Sequence, residues 1–254
     1  MQPPYHRLEE FVPLTGSDEG LVRRFAASSR KIHRGHAIRR EGDHVGGIFF
    51  LMEGWVASSM MLREGRRQIV KVHLPGDMLG MPSLSLSRAG ETLEALTDVV
   101  VSVIPCPALG RMFIENPRLA VGLFLSTQKE RVALMQSLSW IGAASALERL
   151  AAFLLDLHSR LNAAGLTRAD GFDLPLTQQH LADLLGITPV HVNRTLKRLD
   201  QAGYVQRSRG RIVIADLAGL RAVAANAPPR FADHEAWTRL GSPSGNHIPD
   251  PRAG

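Results

Sequence analysis

Residues 176–203 read LTQQHLADLLGITPVHVNRTLKRLDQAG. Thr177 has the chemistry of a helix cap, and Leu181, Leu184 and Leu185 then share one helical face before Gly186. Thr188 is a second cap, with Pro189 at the first helical position, where its missing N–H costs nothing. Val192, Leu196 and Leu199 are spaced i, i+4, i+7, so they turn together toward the first helix. Gly186 sits in the tight connection and Ile187 plugs the angle between the two helices. The pattern predicts a helix-turn-helix.

With the apolar stripe turned inward, His191, Arg194 and Lys197 point out, flanked by Val190 and Asn193. A helix of this kind can lay its amino-terminal turns in the major groove of DNA. Arg194 would then donate two parallel hydrogen bonds to guanine, worth about 1–3 kcal/mol of discrimination. Asn193 suits adenine or a phosphate, His191 suits either, and Val190 offers apolar contact to a thymine methyl. Thr177, Gln179 and Thr188 stand at helix starts, where hydroxyl, amide and backbone N–H groups hold phosphates, and Lys197 adds a cation. Downstream, YVQRSRGRIVI (204–214) reads as a hairpin wing with Arg207, Arg209 and Arg211 near its tip. Residues 176–214 carry six Lys/Arg against two Asp, a basic balance that suits a polyanion. A solvated surface helix would explain the charge, but not the two caps, glycine turn and wing together.

Upstream the texture differs. From about 31 to 105 short strand-like runs alternate with glycine turns: GGIFFLMEGWVASSMML (46–62) around Gly54, a strand Gln68–Leu74 after Gly65, and TLEALTDVVVSVIP (92–105) around Thr97-Asp98. Such spacing predicts an antiparallel, jelly-roll-like barrel or roll. Asn116-Pro117 starts a long helix, in which Val121, Leu125, Gln128, Val132 and Met135 follow a 4-3-4-3 step. That seam predicts pairing with a second copy; packing on the chain's own roll is the other reading. Ser145 and Glu148 form a capping box for the next helix. The fold class is therefore α+β, divided into a roll (1–116), a dimerisation helix (117–143), a winged helix-turn-helix (144–222) and a tail (223–254). The Pro/Gly-rich stretch from 228 is expected to be disordered.

Of 254 residues, 44% are hydrophobic and the net charge is +6. No apolar run reaches the eighteen or so residues that span a bilayer, and no signal peptide is evident, so a cytoplasmic location with no membrane partner is expected. The single cysteine excludes an internal disulfide and a metal site of several thiolates.

From about 31 to 220 the chain resembles the CRP/FNR superfamily of bacterial transcription regulators, through GDMLG (76–80), the helix from Pro117, and above all LTQQHLADLLGITPVHVNRTLKRLDQAGYV. The resemblance implies a cyclic-nucleotide-binding-like roll and a winged helix. It also implies a homodimer on a near-palindromic double-stranded operator, with RNA polymerase as a partner. The family's recognition arginine falls on Arg194. The glutamate usual a few residues earlier is replaced within Pro189-Val190-His191, which leaves the neighbouring base preference open.

The implied effector pocket would use Gly80, Met81, Arg88 and Thr92. Members that bind cyclic AMP have a Gly-Glu pair where this chain has Gly80-Met81, and their phosphate-holding arginine aligns near Ala89, one residue from Arg88. Tight binding of cyclic AMP is not expected, because a buried phosphate would lack its compensating groups. An iron–sulfur cluster needs about four cysteines. Haem stays open on composition, with His33, His36, His44 and His73 in the roll. Cys106 is expected to be packed, with a redox-sensitive thiol as the other reading. Two further readings remain: a cupin-like enzyme binding a metal or small molecule through His33, His36, Glu41 and His44, and a roll that acts as a structural platform with no ligand.

Overall fold

The computed structural model describes residues 4–11, 14–25, 28–168, 171–208 and 210–224. Arg209 and residues 225–254 of the tail expected from 223 lie outside the described residues, while Val223 closes the last described helix. Two short helices, α1 (His6–Glu9) and α2 (Gly16–Phe25), precede the roll. Its strands are β1 (Ser29–Ile32), β2 (Ala37–Arg39), β3 (Gly47–Glu53), β4 (Val56–Met61), β5 (Arg67–His73), β6 (Met78–Leu79), β7 (Thr92–Ala95) and β8 (Val99–Pro105). They form two four-stranded antiparallel sheets, ordered β1-β8-β3-β6 and β2-β7-β4-β5. The strand expected at Gln68–Leu74 begins and ends one residue earlier.

Turn chemistry sets this register. Gly54 links β3 to β4 at φ +83°, where a side chain would also strike the Asp98 carbonyl. Leu51, Val56, Leu79, Leu93, Val99 and Val101 fill the space between the sheets. Ile48, Phe50 and Ile104 face the other way, against α2, α3 (Cys106–Glu115) and the first turns of α4 (Pro117–Ala143). Both faces of β3 are therefore covered, which is why its sequence is a continuous apolar run rather than an alternation. Each fully buried side chain such as Phe50 contributes about 1.5–3 kcal/mol.

The sequence reading passed over α3, whose start lies between Pro105 and Pro107. Proline is tolerated in a first helical turn, and Ala108, Leu109 and Met112 supply the buried face. Cys106 opens this helix on its outer side and is exposed, against the expectation of a packed thiol. For α4, the Asn116 side chain accepts the Leu119 N–H at 3.0 Å, with Pro117 in the first turn. The 27 residues span roughly 40 Å, and Gly142 does not break the helix but lies in its last turn.

The carboxy-terminal unit begins with α5 (Ala146–Ala163), which carries the capping box of Ser145 and Glu148. Next come β9 (Gly171–Asp173), α6 (Gln178–Leu185), α7 (Pro189–Gln201), β10 (Val205–Ser208), β11 (Arg211–Ile214) and α8 (Leu217–Val223). Strands order β10-β11-β9 in a small antiparallel sheet. Neither β9 nor α8 was foreseen: three residues carry no period, and β9 exists only because Phe172 pairs with the distant Ile212.

Roll and carboxy-terminal unit are fastened at Asp77, whose side chain is 1% exposed. Arg160 of α5 reaches its Oδ2 at 2.9 Å and Arg7 its Oδ1 at 3.0 Å, while Lys71 and His73 stand at 3.9 and 3.6 Å. Burial alone would raise the carboxyl's pKa, but Lys71, Arg160, His73 and Arg7 hold it well below the usual carboxylate range. Removing one member of such a buried network costs about 3–5 kcal/mol.

Candidate nucleic-acid interface

The helix-turn-helix is built from local chemistry. Thr177 Oγ1 accepts the His180 N–H at 3.1 Å, and His180 Nδ1 accepts the Thr177 N–H at 3.3 Å, a reciprocal cap. That bond requires an unprotonated Nδ1, and burial and then Arg67 lower the ring's pKa. Gly186 closes α6 in the left-handed conformation at φ +66°, where glycine avoids the steric penalty. Thr188 Oγ1 accepts the His191 N–H at 3.3 Å and starts α7. Val192, Leu196 and Leu199 are buried, and Thr195 is buried too, its hydroxyl donating to the His191 carbonyl at 2.8 Å.

The opposite face of α7 is open. Val190 is 80% exposed, Arg194 and Lys197 are exposed, and His191 and Asn193 are half-buried beside them. Among the described residues, neither Arg194 nor Lys197 has a hydrogen-bond or ion-pair partner in its own chain. The remaining predicted contacts are more engaged. Gln179 donates to Asp183 Oδ1 at 2.7 Å, and Arg207 pairs with Asp200 at 3.4 Å. Arg211 bonds the Arg168 carbonyl and stands 3.7 Å from Asp173.

One link was missing from the sequence reading. Arg67 of β5 holds Asp183 of α6 at 2.8 Å and Glu94 of β7 at 2.9 Å, and Gln68 donates to the Leu184 carbonyl at 3.2 Å. These contacts seat α6 on the roll and fix how α7 is presented.

The expected seam on α4 is partly covered within the chain itself. Leu125 is buried and Val121 half-buried against Phe11 of the same chain, while Gln128 and Val132 are half-buried. Only Met135 of the expected five is exposed, at 62%. The apolar side chains that α4 leaves open are Phe124, Leu134, Met135, Leu138 and Ile141, with Leu138 at 72%.

The expected effector residues each have neighbours of their own within the roll. Arg88 is exposed and donates to the Gly42 carbonyl at 3.2 Å, whereas Ala89 beside it turns inward. Thr92 Oγ1 accepts the Glu41 N–H at 3.0 Å, and Met81 packs toward α2 and α3. Gly80 is backed by the guanidinium of Arg39. The metal-ligand set is not assembled either: His33 pairs with Asp98 at 3.6 Å, Glu41 accepts the Met61 N–H, and His36 and His44 are exposed. No three His, Cys, Asp or Glu side chains among the described residues could hold a metal ion together.

Two family models match the chain: a cyclic nucleotide-binding domain over residues 29–116 and a Crp-like helix-turn-helix domain over 148–223. The nitrogen fixation regulation protein FixK of Bradyrhizobium diazoefficiens is 33% identical over 210 residues, 82% of this chain and 87% of that one. The transcriptional activator protein FnrA of Stutzerimonas stutzeri is 27% identical over 198 residues, 78% of this chain and 81% of its own. Among solved structures, FixK2 from Bradyrhizobium japonicum superposes with a TM-score of 0.72 at 27% identity, covering 79% of this chain and 98% of that one. With a cyclic nucleotide-binding domain followed by a Crp-like helix-turn-helix domain, and a relative 33% identical over 82% of its length, the chain belongs to the CRP/FNR superfamily of DNA-binding transcription regulators.

Proposed function

We propose that this regulator reads a near-palindromic operator as a homodimer, each subunit laying α7 in the major groove. Half-sites then lie about 34–36 Å apart, one helical turn. Arg194 reads a guanine in each half-site; Asn193, His191 and Val190 read its neighbours. Thr177, Gln179, Thr188, Lys197, Arg207 and Arg209 hold phosphates. The two copies meet along α4 through Phe124, Leu134, Met135, Leu138 and Ile141. Contact with RNA polymerase and a cytoplasmic location belong to the same reading; no described helix is long and apolar enough to cross a membrane.

The observation that supports this reading is the state of Arg194: a guanidinium exposed and unpaired on a helix whose other face is filled. An arginine serving its own fold would have an acceptor within it. Fluorescence anisotropy on a selected operator tests the point. Arg194→Ala is expected to lose about 1–3 kcal/mol, roughly fivefold to 160-fold, per half-site, counted twice in the dimer, with an unchanged melting temperature. Unaltered binding would place the reading face elsewhere.

A further inference from the structure

The family's amino-terminal domain implies a cyclic nucleotide inside the roll, and the residues at Gly80 do not fit one. A Cβ at Gly80 would lie 2.7 Å from Arg39 Nη2, 2.9 Å from Nη1 and 3.0 Å from Cζ. The guanidinium therefore occupies the space that the glycine leaves. It enters from the end of β2, its side chain 6% exposed, and lies 5.8 Å over the Phe49 ring. Met81 brings no carboxylate for a ribose, and the inward position of the 88–89 pair belongs to Ala89.

The buried cation has little to satisfy it. Its Nη2 stands 3.5 Å from Glu91 Oε1 and its Nη1 donates to the Gly47 carbonyl at 3.4 Å, both long. Among the described residues its Nε has no hydrogen-bond partner. A guanidinium carries five N–H donors, and burial lowers its pKa, opposed by Glu91 and then Asp43. Glu91, its ion-pair partner, is largely buried and lies between Gly90 and β7. An arginine walled in this way takes an anion, and here the anion is carried by the chain itself.

We propose that the Arg39–Glu91 pair is an internal ligand: Arg39 fills the volume beside Gly80 and Glu91 supplies the negative charge that a nucleotide would bring. The roll is thus held in one arrangement without an effector and has no room for a cyclic nucleotide. The proposal rests on the roll being of the nucleotide-binding type, not on which bases α7 reads, so its test is read on the roll and uses no DNA.

The full-length protein is titrated calorimetrically with cyclic AMP and with cyclic di-GMP, and its melting temperature is followed as chloride is replaced by acetate or by phosphate at constant ionic strength. The wild type is expected to bind neither nucleotide at millimolar concentration and to respond alike to the three anions. Glu91→Ala opens the seat beside Arg39; it should melt below the wild type and regain stability in a saturable way. Acetate and phosphate arms distinguish carboxylate from phosphate preference. Arg39→Met/Glu91→Ala should show no anion response. Saturable nucleotide binding by the wild type overturns the proposal, as does Glu91→Ala that folds but ignores both anions. Should Glu91→Ala fail to fold, Glu91→Ser also leaves the seat beside Arg39 open and is read in the same way; lack of any selective anion effect there also overturns it.

Discussion

Arg194 and Lys197 occupy one exposed strip of α7, and the proposed reading gives them different parts of a duplex. The planar fork of Arg194 suits a base edge, where loss is felt only at the matching sequence. Lys197 is a point charge further along the helix and suits a phosphate, which carries no sequence information. Lys197→Ala should weaken operator and random DNA about equally and reduce the slope of log affinity against log salt by about one per subunit. A loss confined to the operator would show that Lys197 reads bases instead. Thr188 contributes earlier, by satisfying the His191 N–H at the start of the same helix. Thr188→Ala should cost about 0.5–2 kcal/mol in denaturant unfolding.

Elements repeat this division between what is local and what is not. Caps at Asn116, Ser145, Thr177 and Thr188 were legible because a cap and its amide lie three residues apart. Arg67 with Asp183, 116 residues away, was not legible; neither was Arg39 with Glu91, 52 away, since single-sequence patterns carry no long-range pairing. The long helix α4 lies between these cases. Its apolar period was readable, but which of its faces the chain itself covers was not: Phe11, just after α1, packs on Leu125, and Leu138 lies in the open. Leu138→Glu should therefore give monomers in size-exclusion light scattering and lower DNA affinity. Leu125→Ala should instead lower stability by about 2 kcal/mol or more, with the dimer kept. The reverse outcome would restore the phase first read from the sequence.

At the scale of the molecule, the Asp77 network joins α1, the roll and α5, and it sets a pH dependence. His73 is buried among Ser58, Lys71, Asp77 and Glu130. Burial, then Lys71, push its pKa below the ordinary 6.5 against the opposing pull of Asp77 and Glu130. The fold thus favours the neutral ring, while the unfolded chain takes up a proton near 6.5. Stability present above that pH is lost as the pH falls toward the folded-state value. Melting temperature measured from pH 8 to 5 should drop below about 6.5, and His73→Gln should flatten that drop; an equal drop in the variant would assign it to other groups. Above this framework stands the claim that two copies present α7 to one duplex. Selection of bound DNA from a random pool, with purified protein and no nucleotide added, tests it most directly. The expected result is an inverted repeat with a guanine in each half, centres one helical turn apart, that Arg194→Ala no longer enriches. An unrepeated motif, or the same motif recovered by Arg194→Ala, would contradict it.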